Sequence, residues 1–517
     1  MAIKNGQCLI FLLAFAIIGM LTLLVTDDQQ HHNVHQLEKE AQQVEHVIER
    51  VLHLEERPPN ENTAISDHQG SEFDSNTRSD DTSERNGAIQ ELPPPPAHGE
   101  VQRNMTEFVR MMASTFRNLP QNDKNPIDIW GKYYDLAEKM LVPMDLKWRG
   151  GTMYPVRDDD SVFVSIGSYR DELCPPTLID MFDKAARPER LYVGLVQQNC
   201  LSGCRTGVLD HQGTVKDQEG PDVDCYQEFC ASPQGREACA AGRVRHFFIN
   251  ETESLGPAQA RYFAAKLWEG ESWFFQIDSH CTFAEGWEQE LIDEYHACPT
   301  TNPKRVLTHY PPAPGGDAWK KRVGMRICDP LFATSDIESQ IVRLNAAQFY
   351  DREMTTPRFA PFIAAGMFFT HGSFLGDIPF DPLMPWIFMG EEILLSLRFW
   401  TNGWDIFSPK KNVLTHYYVR RHKPKFWETV GRVFGRPGIH NPIQLKVMDR
   451  VKNILGYPET HDDIVYPPTL LAYKDLYGVG NKRRMDHFYS MVGIDTQTKR
   501  VQIPQWCHKG IPPPQVE

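Results

Sequence analysis

The sequence of 517 residues lacks the features of several large protein classes. Basic residues are in the minority, with 54 Lys and Arg against 68 Asp and Glu, so no nucleic-acid-binding surface is indicated. No C-x2-C pair occurs, which argues against a structural zinc site. No internal repeat is evident. At ~100–200 residues per domain, the length permits one large domain with attached segments.

Long apolar runs are also scarce, and the one near the N-terminus covers residues 8–25 without a charge. It approaches the ~20 apolar residues needed to cross a bilayer. Lys4 precedes the run and Asp27 follows it, an order that favours a cytosolic tail over residues 1–7 and a lumenal remainder. A cleaved signal peptide is the alternative, but no A-x-A-like site closes the run. We predict a single-pass type II anchor in the Golgi or ER membrane.

The segments after the anchor differ in composition. Residues 26–56 carry an apolar heptad seam about three repeats long, which predicts either a dimerising coiled-coil stem or a lone amphipathic helix. Residues 57–103 are polar and Pro-rich and predict a disordered stalk. A helical lead-in is expected over 104–158, a catalytic domain over 159–425, and a C-terminal extension packed on that domain over 426–517.

Cysteines are concentrated in one stretch of about forty residues. In an oxidising lumen this pattern predicts a loop braced by disulfides, whose connectivity cannot be deduced from the sequence. A zinc site that includes His211 is the alternative. The cysteines concerned are Cys200, Cys204, Cys225, Cys230 and Cys239. The sequons at Asn104 and Asn250 would be glycosylated in the same compartment.

From Ser161 onward the pattern becomes α/β. The runs SVFVSIGSYR and RLYVGLVQQ have strand length and composition, and a helical segment, PPTLIDMFDKAARPE, lies between them. Such a unit implies parallel strands joined by a right-handed crossover. Further apolar runs predict a mixed, mostly parallel sheet flanked by helices, with ligands at the carboxyl ends of the strands.

The segment WFFQIDSHCTF places acidic and imidazole side chains at the end of one of these strands. Asp278 and His280 are two residues apart, so on an extended chain they point the same way and can bind one cation. An oxygen and a nitrogen ligand suit Mn2+ and similar borderline ions. In the alternative interpretation, Asp278 caps the next helix and His280 is packed in the core.

Four segments resemble polypeptide N-acetylgalactosaminyltransferases, in the same order along the chain. QIDSHCTF is similar to their metal-binding D-x-H segment, and FIAAGMFFTHGSFL to their small-residue strand at the sugar pocket. PWIFMGEEILLSLRFW resembles their W-G-G-E-N-x-E-x-S-x-R-x-W segment. THYYVR resembles the H-V-F-R segment that supplies a third metal ligand, which falls on His416.

A closer resemblance, over roughly residues 160 to 425, is to the GlcNAc-transferase family whose best-known member modifies hydroxyproline on an adaptor subunit of a cullin ubiquitin ligase. FVSIGSYRDELCPPTLIDMF and GPAQARYFAAKLWEGESWFFQIDSH carry it. The family implies a GT-A fold, UDP-GlcNAc as donor, a divalent cation and transfer with retention at the anomeric carbon. That member is cytoplasmic, whereas this chain carries an anchor, so its hydroxyproline acceptor is not carried over.

The resemblance implies roles for individual residues. The metal ligands would be Asp278, His280 and His416, and the acids at the sugar would be Glu391 and its neighbour Glu392. Stacking by Tyr169 on the uridine and a hydrogen bond between Asp171 and the base are expected. Arg261 is expected at the diphosphate, and a position on a solvated helix face is its alternative. The full set of expected donor-binding residues is Ser168, Tyr169, Arg170, Asp171, Arg261, Asp278, Gly366 and Gly390.

The leading hypothesis is therefore a Mn2+-dependent retaining glycosyltransferase that moves GlcNAc from UDP-GlcNAc to a hydroxyl of a protein or glycan. UDP-GalNAc or another UDP-hexose as donor is a second hypothesis on the same fold. A catalytically inactive lumenal lectin or scaffold is the alternative from another class. An intact set of Asp278, His280 and His416 argues against it.

Overall fold

The computed structural model describes most of the chain from His98 onward. The described residues are 98–120, 125–149, 154–202, 204, 208–209, 215–216, 221–333, 338–349, 354–419, 423–426, 440–458 and 467–513. The predicted tail, anchor and stem and nearly all of the predicted stalk lie outside them. Among the residues described, no helix combines the length and the apolar character needed to cross a membrane.

Helices flank the sheet on both faces and form both ends of the described chain. In chain order they are α1 (His98–Arg117), α2 (Pro126–Met140), α3 (Val142–Arg149), α4 (Cys174–Asp183), α5 (Cys225–Ala231), α6 (Pro233–Ala240), α7 (Pro257–Ala265), α8 (Trp287–His296), α9 (Asp317–Lys320), α10 (Phe374–Asp377), α11 (Glu391–Thr401), α12 (His440–Ile454), α13 (Lys474–Tyr477), α14 (Met485–Val492) and α15 (Gln505–Lys509).

Strands concentrate between α3 and α12. In chain order they are β1 (Val162–Tyr169), β2 (Leu191–Asn199), β3 (Val208–Leu209), β4 (Val215–Lys216), β5 (Val244–Asn250), β6 (Trp273–Asp278), β7 (Cys281–Phe283), β8 (Arg305–Thr308), β9 (Met325–Arg326), β10 (Pro330–Leu331), β11 (Arg343–Leu344), β12 (Gln348–Phe349), β13 (Arg358–Phe359), β14 (Met367–His371), β15 (Asp405–Ser408), β16 (Leu414–His416), β17 (Ile494–Asp495) and β18 (Arg500–Val501).

One mixed sheet of eight strands organises the fold, in the order β13-β15-β8-β14-β6-β1-β2-β5. The pairs β1–β2, β1–β6, β2–β5 and β8–β15 are parallel, whereas β14 is antiparallel to β6 and β8, and β13 to β15. The chain passes from β1 to its parallel neighbour β2 through α4, as the sequence predicts. The predicted α/β class and mixed, mostly parallel sheet are confirmed.

Burial on both faces explains why the central strands are continuously apolar. In β6, Phe274 belongs to the hydrophobic core on one face of the sheet, and its neighbour Phe275 belongs to the core on the other. In β1, Phe163 and Val164 divide in the same way. Since successive side chains of a strand point to opposite faces, a strand between two helical layers needs apolar residues at every position.

The helical lead-in begins earlier than the sequence predicts. Helix α1 starts at His98, inside the predicted stalk of 57–103. Its residues Met105, Phe108 and Met112 recur at helical spacing and are buried in the main core. Packing of this face on the domain extends the helix toward the N-terminus, into a segment whose composition alone favours disorder.

Disulfides join all five of the clustered cysteines, which excludes the zinc alternative. Two bonds, Cys174–Cys225 and Cys230–Cys239, hold α5 and α6 to α4 and to each other, and Cys200 pairs with Cys204. A fourth bond joins Cys328 to Cys507 across 179 positions of the sequence. Among the described cysteines, Cys281 and Cys298 are free and buried.

Candidate active site

One carboxylate and two imidazoles meet at the carboxyl end of the sheet. Asp278 is the last residue of β6, His280 follows two positions later, and His416 ends β16. Their candidate ligand atoms all lie within 4.8 Å of one another. Nε2 of His416 is 3.1 Å from Oδ2 of Asp278, and the two imidazole rings are 4.5 Å apart between centroids.

A short strand pair brings His416 to this position from far along the chain. Strand β16 runs antiparallel to β7, so that His416 lies opposite Cys281, the residue after His280. The backbone amide of Tyr417 also donates to the carbonyl of His280, at 2.9 Å. The pairing continues directly from the end of β6, and it sets the three side chains around one point.

The chemistry of this cluster fits a divalent cation. Two imidazoles and one carboxylate form the kind of mixed nitrogen and oxygen set that borderline ions such as Mn2+ accept. Burial would raise the pKa of the Asp278 carboxyl, but the hydrogen bond with His416 and the charge of Arg261 hold that pKa well below its usual range. Asp278 is therefore a carboxylate and can serve as a metal ligand.

Arg261 links the cluster to the helix that carries the two glutamates. From α7, its guanidinium pairs with Oδ1 of Asp278 at 3.0 Å and, through its other terminal nitrogen, with Oε2 of Glu391. Burial works against its charge, but the two carboxylates outweigh burial and raise the pKa of Arg261. The alternative of a solvated helix face is excluded, because 12% of this side chain is exposed.

Glu391 and Glu392 begin α11 and face the same cavity with different partners. Glu391 is buried, and its Oε1 has no hydrogen-bond partner within the described structure. Glu392 accepts a hydrogen bond from the hydroxyl of Tyr310 at 2.5 Å and one from the amide of Ala365 at 2.9 Å. Burial raises the pKa of both carboxyls, against the opposing charge of Arg261 at Glu391.

Two glycines among the predicted donor-binding residues have steric reasons to be glycine. A Cβ atom at Gly366 would lie 2.8 Å from Oδ2 of Asp278, which is closer than carbon and oxygen can approach without a shift. Gly390 precedes α11 with a φ of +97°, where a side chain is strained, and its Cβ would meet Ile341. Both glycines line the cavity.

The three candidate ligands, Arg261, the two glutamates and both glycines line one cavity of about 720 Å³. Tyr169, at the carboxyl end of β1, lines this cavity. Its ring is edge-on to that of Phe426, with 5.7 Å between the two ring centroids. An apolar wall also lines the cavity, formed by Val342, Leu344, Phe349, Phe388 and Met389. The cavity lining thus combines charged residues at the end of the sheet with apolar residues from the short strands β11 and β12 and from loops.

Three of the predicted donor-binding residues do not line the cavity, which corrects the sequence analysis. Ser168 is completely buried. Arg170 turns inward and pairs with Asp222 at 2.9 Å. The carboxylate of Asp171 is also buried; it accepts a hydrogen bond from Ser279 and contacts Nδ1 of His280. The turn after β1 directs these side chains into the protein, and of the four residues at this position only Tyr169 reaches the cavity.

Two features of the cavity, Tyr310 and the apolar wall, were not predicted. Tyr310 follows β8, a strand that the apolar run RVLTHY predicts, and ligands are expected at the carboxyl ends of strands, so the sequence did contain a signal for its position. The apolar wall comes from the short strands β11 and β12, the turns around them and the segment before α11, which carry no periodic signal. Their role depends on contacts made only in the folded chain.

Comparison with known proteins identifies the family. The model of the family described as glycosyltransferase (GlcNAc) matches residues 161–498. Comparison with curated protein sequences finds no match. Among solved structures, the crystal structure of GalNAc-T7 with UDP, GalNAc and Mn2+ has a TM-score of 0.37 at 12% identity, and the match covers 64% of this chain and 56% of that one.

The structure of TarS residues 1–349 from S. aureus has a TM-score of 0.31 at 13% identity, with 61% of this chain and 70% of that chain covered. These distant likenesses carry no part of the assignment, which rests on the family match over well over half of the sequence. The chain therefore belongs to the GlcNAc glycosyltransferase family and is a glycosyltransferase.

Proposed function

We propose that this glycosyltransferase is a GT-A enzyme that depends on a divalent cation, with Mn2+ as the ion and UDP-GlcNAc as the donor, and that it transfers GlcNAc to a protein or glycan hydroxyl with retention. The observation that carries the proposal is the meeting of Asp278, His280 and His416 beside Arg261 and Glu391 in one large cavity. Donor, cation and stereochemistry follow the family resemblance of the sequence.

The phosphates of the donor belong at the charged side of the cavity. Asp278, His280 and His416 would hold the cation, which when bound neutralises charge that develops on the departing diphosphate. Arg261 lies beside them with its guanidinium buried among acids, so it can contribute a fixed positive charge to the phosphate end. The three ligand side chains and Arg261 are in place before a donor arrives, which limits reorganisation during the reaction.

The sugar belongs beside α11. A buried carboxylate oxygen without a partner, Oε1 of Glu391, is an acceptor that a sugar hydroxyl can satisfy. Glu392 is oriented by Tyr310 and by the backbone of Ala365, so it is held in one position at the same wall. A hexose whose ring hydroxyl points elsewhere would leave a buried carboxylate oxygen without a hydrogen-bond donor. This cost gives the pocket selectivity among hexoses.

The uridine belongs at Tyr169, and the acceptor at the apolar wall. Tyr169 offers the aromatic ring that the resemblance implies for stacking on the base. The apolar wall around Phe349 and Phe388 is where the acceptor would lie, since both side chains are exposed beside the cavity.

Turnover of a panel of UDP-sugars by the purified full-length protein tests the proposal. We expect release of UDP from UDP-GlcNAc in Mn2+ and none in EDTA, with less release from UDP-GalNAc and UDP-glucose. Asp278→Asn should abolish the reaction. Asp486→Asn, which changes an exposed carboxylate paired with Arg484, should keep it. UDP binding without turnover of any donor would instead support an inactive lectin or scaffold.

We also propose that residues 8–25 anchor the chain in the Golgi or ER membrane, with 1–7 cytosolic, the domain lumenal and 26–56 able to form a dimer. The disulfides of the described domain support an oxidising compartment. Protease treatment of sealed microsomes should leave the domain intact until detergent is added. Digestion without detergent would contradict the lumenal placement.

A further inference from the structure

We propose that Asp171 is a positioning residue that sets the tautomer and orientation of His280 for metal binding. The inference rests on the cation proposed above and replaces the contact with the base that the sequence analysis expected of Asp171. Oδ2 of Asp171 lies 2.6 Å from Nδ1 of His280, and its side chain is completely buried. A hydrogen bond of this length between a carboxylate and an imidazole is a strong one.

The contact determines which ring nitrogen can bind a metal. A carboxylate only accepts hydrogen bonds, so Nδ1 of His280 must carry the proton. The lone pair then lies on Nε2, the nitrogen left to face the cavity that His280 lines with Asp278 and His416. Carboxylate partners of metal-binding histidines fix the ring in this way and make the ligand more basic.

Asp171 is itself held from both ends of its carboxylate. Oδ1 accepts the backbone amide of Leu173 at 3.0 Å, and Oδ2 accepts the hydroxyl of Ser279 at 2.7 Å. Ser279 lies between the two ligands Asp278 and His280, so the same carboxylate binds the segment that carries both. These bonds leave Asp171 little freedom to swing toward a nucleotide.

The turn after β1 positions the carboxylate of Asp171. Arg170 has a φ of +48°, in the left-handed region that ordinary residues rarely adopt. Its amide donates to the carbonyl of Gln198 and the side chain of Asn199, and its guanidinium pairs with Asp222. Three anchoring contacts at one strained residue redirect the chain so that Asp171 faces the end of β6.

The second histidine ligand lacks such support. Nδ1 of His416 is buried and has no hydrogen-bond partner among the described groups. Its ring instead packs against Tyr418, 4.2 Å away between centroids. His280 is therefore the imidazole that the protein orients before the metal arrives, and removal of its carboxylate should weaken metal binding directly.

Titration of the full-length protein with Mn2+ in the absence of nucleotide, followed by the EPR signal of free Mn2+, tests the inference. Asp171→Asn keeps the size of the side chain but not its charge, and we expect Mn2+ affinity to fall about 10- to 100-fold. Without metal, its melting temperature should stay near that of the wild type, while the increase caused by Mn2+ shrinks. Glu294→Gln, the same change at a buried acid outside the cavity lining, should bind Mn2+ like the wild type.

The outcomes separate this inference from the proposed function. If the wild type binds Mn2+ and Asp171→Asn binds it equally well, the positioning role is wrong and the metal site stands. If the wild type binds no Mn2+, both fall. Should Asp171→Asn fail to fold, 15N spectra of histidine-labelled wild-type protein, assigned with His280→Gln, decide the question. A proton on Nδ1 of His280 supports the role, and a proton on Nε2 overturns it.

Discussion

The carboxylate of Asp278 is held by several neighbours in the candidate site. It meets Arg261 on one oxygen and His416 on the other, and Gly366 approaches it without a side chain. Small displacements of this group therefore disturb several contacts together. The effect of moving the Asp278 carboxylate can be tested by changing a neighbouring residue as well as by replacing Asp278 itself.

Gly366→Ala should impair catalysis without unfolding the protein. The added methyl would lie 2.8 Å from Oδ2 of Asp278 and push the carboxylate aside. Misplacement of a catalytic group by about 1 Å can cost roughly 100-fold in rate, so we expect kcat/KM for Mn2+-dependent UDP-GlcNAc turnover to fall about 10- to 100-fold. Gly376→Ala is the control, because a Cβ there meets nothing within 4 Å. Equal activity of the two variants would contradict this explanation.

Glu294 gives a pH dependence of stability that is separate from catalysis. It is buried in α8, and burial raises its pKa from 4.5 to about 7, against the hydrogen bond from the amide of Lys410. Because the folded pKa is raised, the folded state favours the protonated acid. The free energy of unfolding should therefore decline as pH rises from about 4.5 through about 7.

Glu294→Gln should remove this decline. At pH 8 the variant is expected to be about 2–3 kcal/mol more stable than the wild type, since a shift of one pKa unit is worth about 1.4 kcal/mol. Near pH 5 the two should be similar. Urea unfolding at both pH values measures the difference, and a constant difference across the range would argue against ionisation of Glu294 as its cause.

Among the elements, the short strands β7 and β16 complete the candidate site. Strand β6 delivers Asp278 and His280 as an extension of the central sheet, and the sequence predicts that part from its apolar run. Strand β16 adds His416 through three positions paired with β7, and no local sequence pattern predicts this pairing. The family resemblance, and not periodicity, pointed to His416.

Disulfides link the helices α4, α5 and α6 to one another. Cys174–Cys225 closes 51 positions of sequence and Cys200–Cys204 closes four. Since a longer closed loop restricts the unfolded chain more, the pair of replacements Cys174→Ala and Cys225→Ala should cost about 4 kcal/mol, against about 2 kcal/mol for Cys200→Ala with Cys204→Ala. Denaturant unfolding of both variants measures this order, and a reversed order would contradict it.

In the described chain as a whole, a buried ionic cluster joins the lead-in, the catalytic domain and the C-terminal extension. Asp145 of α3 pairs with Lys266, the residue after α7, and accepts a hydrogen bond from Tyr477 of α13 at 2.7 Å. Burial raises the pKa of Asp145 and lowers that of Lys266. The buried ion pair and the hydrogen bond from Tyr477 thus connect the lead-in, the catalytic domain and the C-terminal extension.

Breaking this pair from one side should be costly. Asp145→Leu or Lys266→Met alone leaves a buried charge unpaired, and each should lower the free energy of unfolding by about 3–5 kcal/mol. The double variant should lose clearly less than the sum. Lys304→Met, which removes a half-exposed pair with Asp377, is the control and should cost about 1 kcal/mol or less. Additive single effects would contradict the coupling.

Local patterns in the sequence were enough to predict several features of the fold and the site. Runs of apolar residues predict β1, β2 and β6 because a strand buried on both faces needs them, and the D-x-H at the end of β6 follows from alternation along a strand. The clustering of cysteines in one stretch likewise predicts disulfides without reference to the rest of the chain. The anchor over 8–25 and the stem stay predictions, since they lie outside the described residues.

Which distant groups meet depends on how the elements pack in the folded chain. Asp171 and His280 are 109 positions apart, and Arg261 and Glu391 are 130 apart. Local composition cannot encode such pairs, because their distance depends on the packing of whole elements. For that reason the sequence assigned Asp171 to the nucleotide base and left the disulfide connectivity open, whereas the folded chain places Asp171 against the imidazole of His280 and Tyr310 against Glu392.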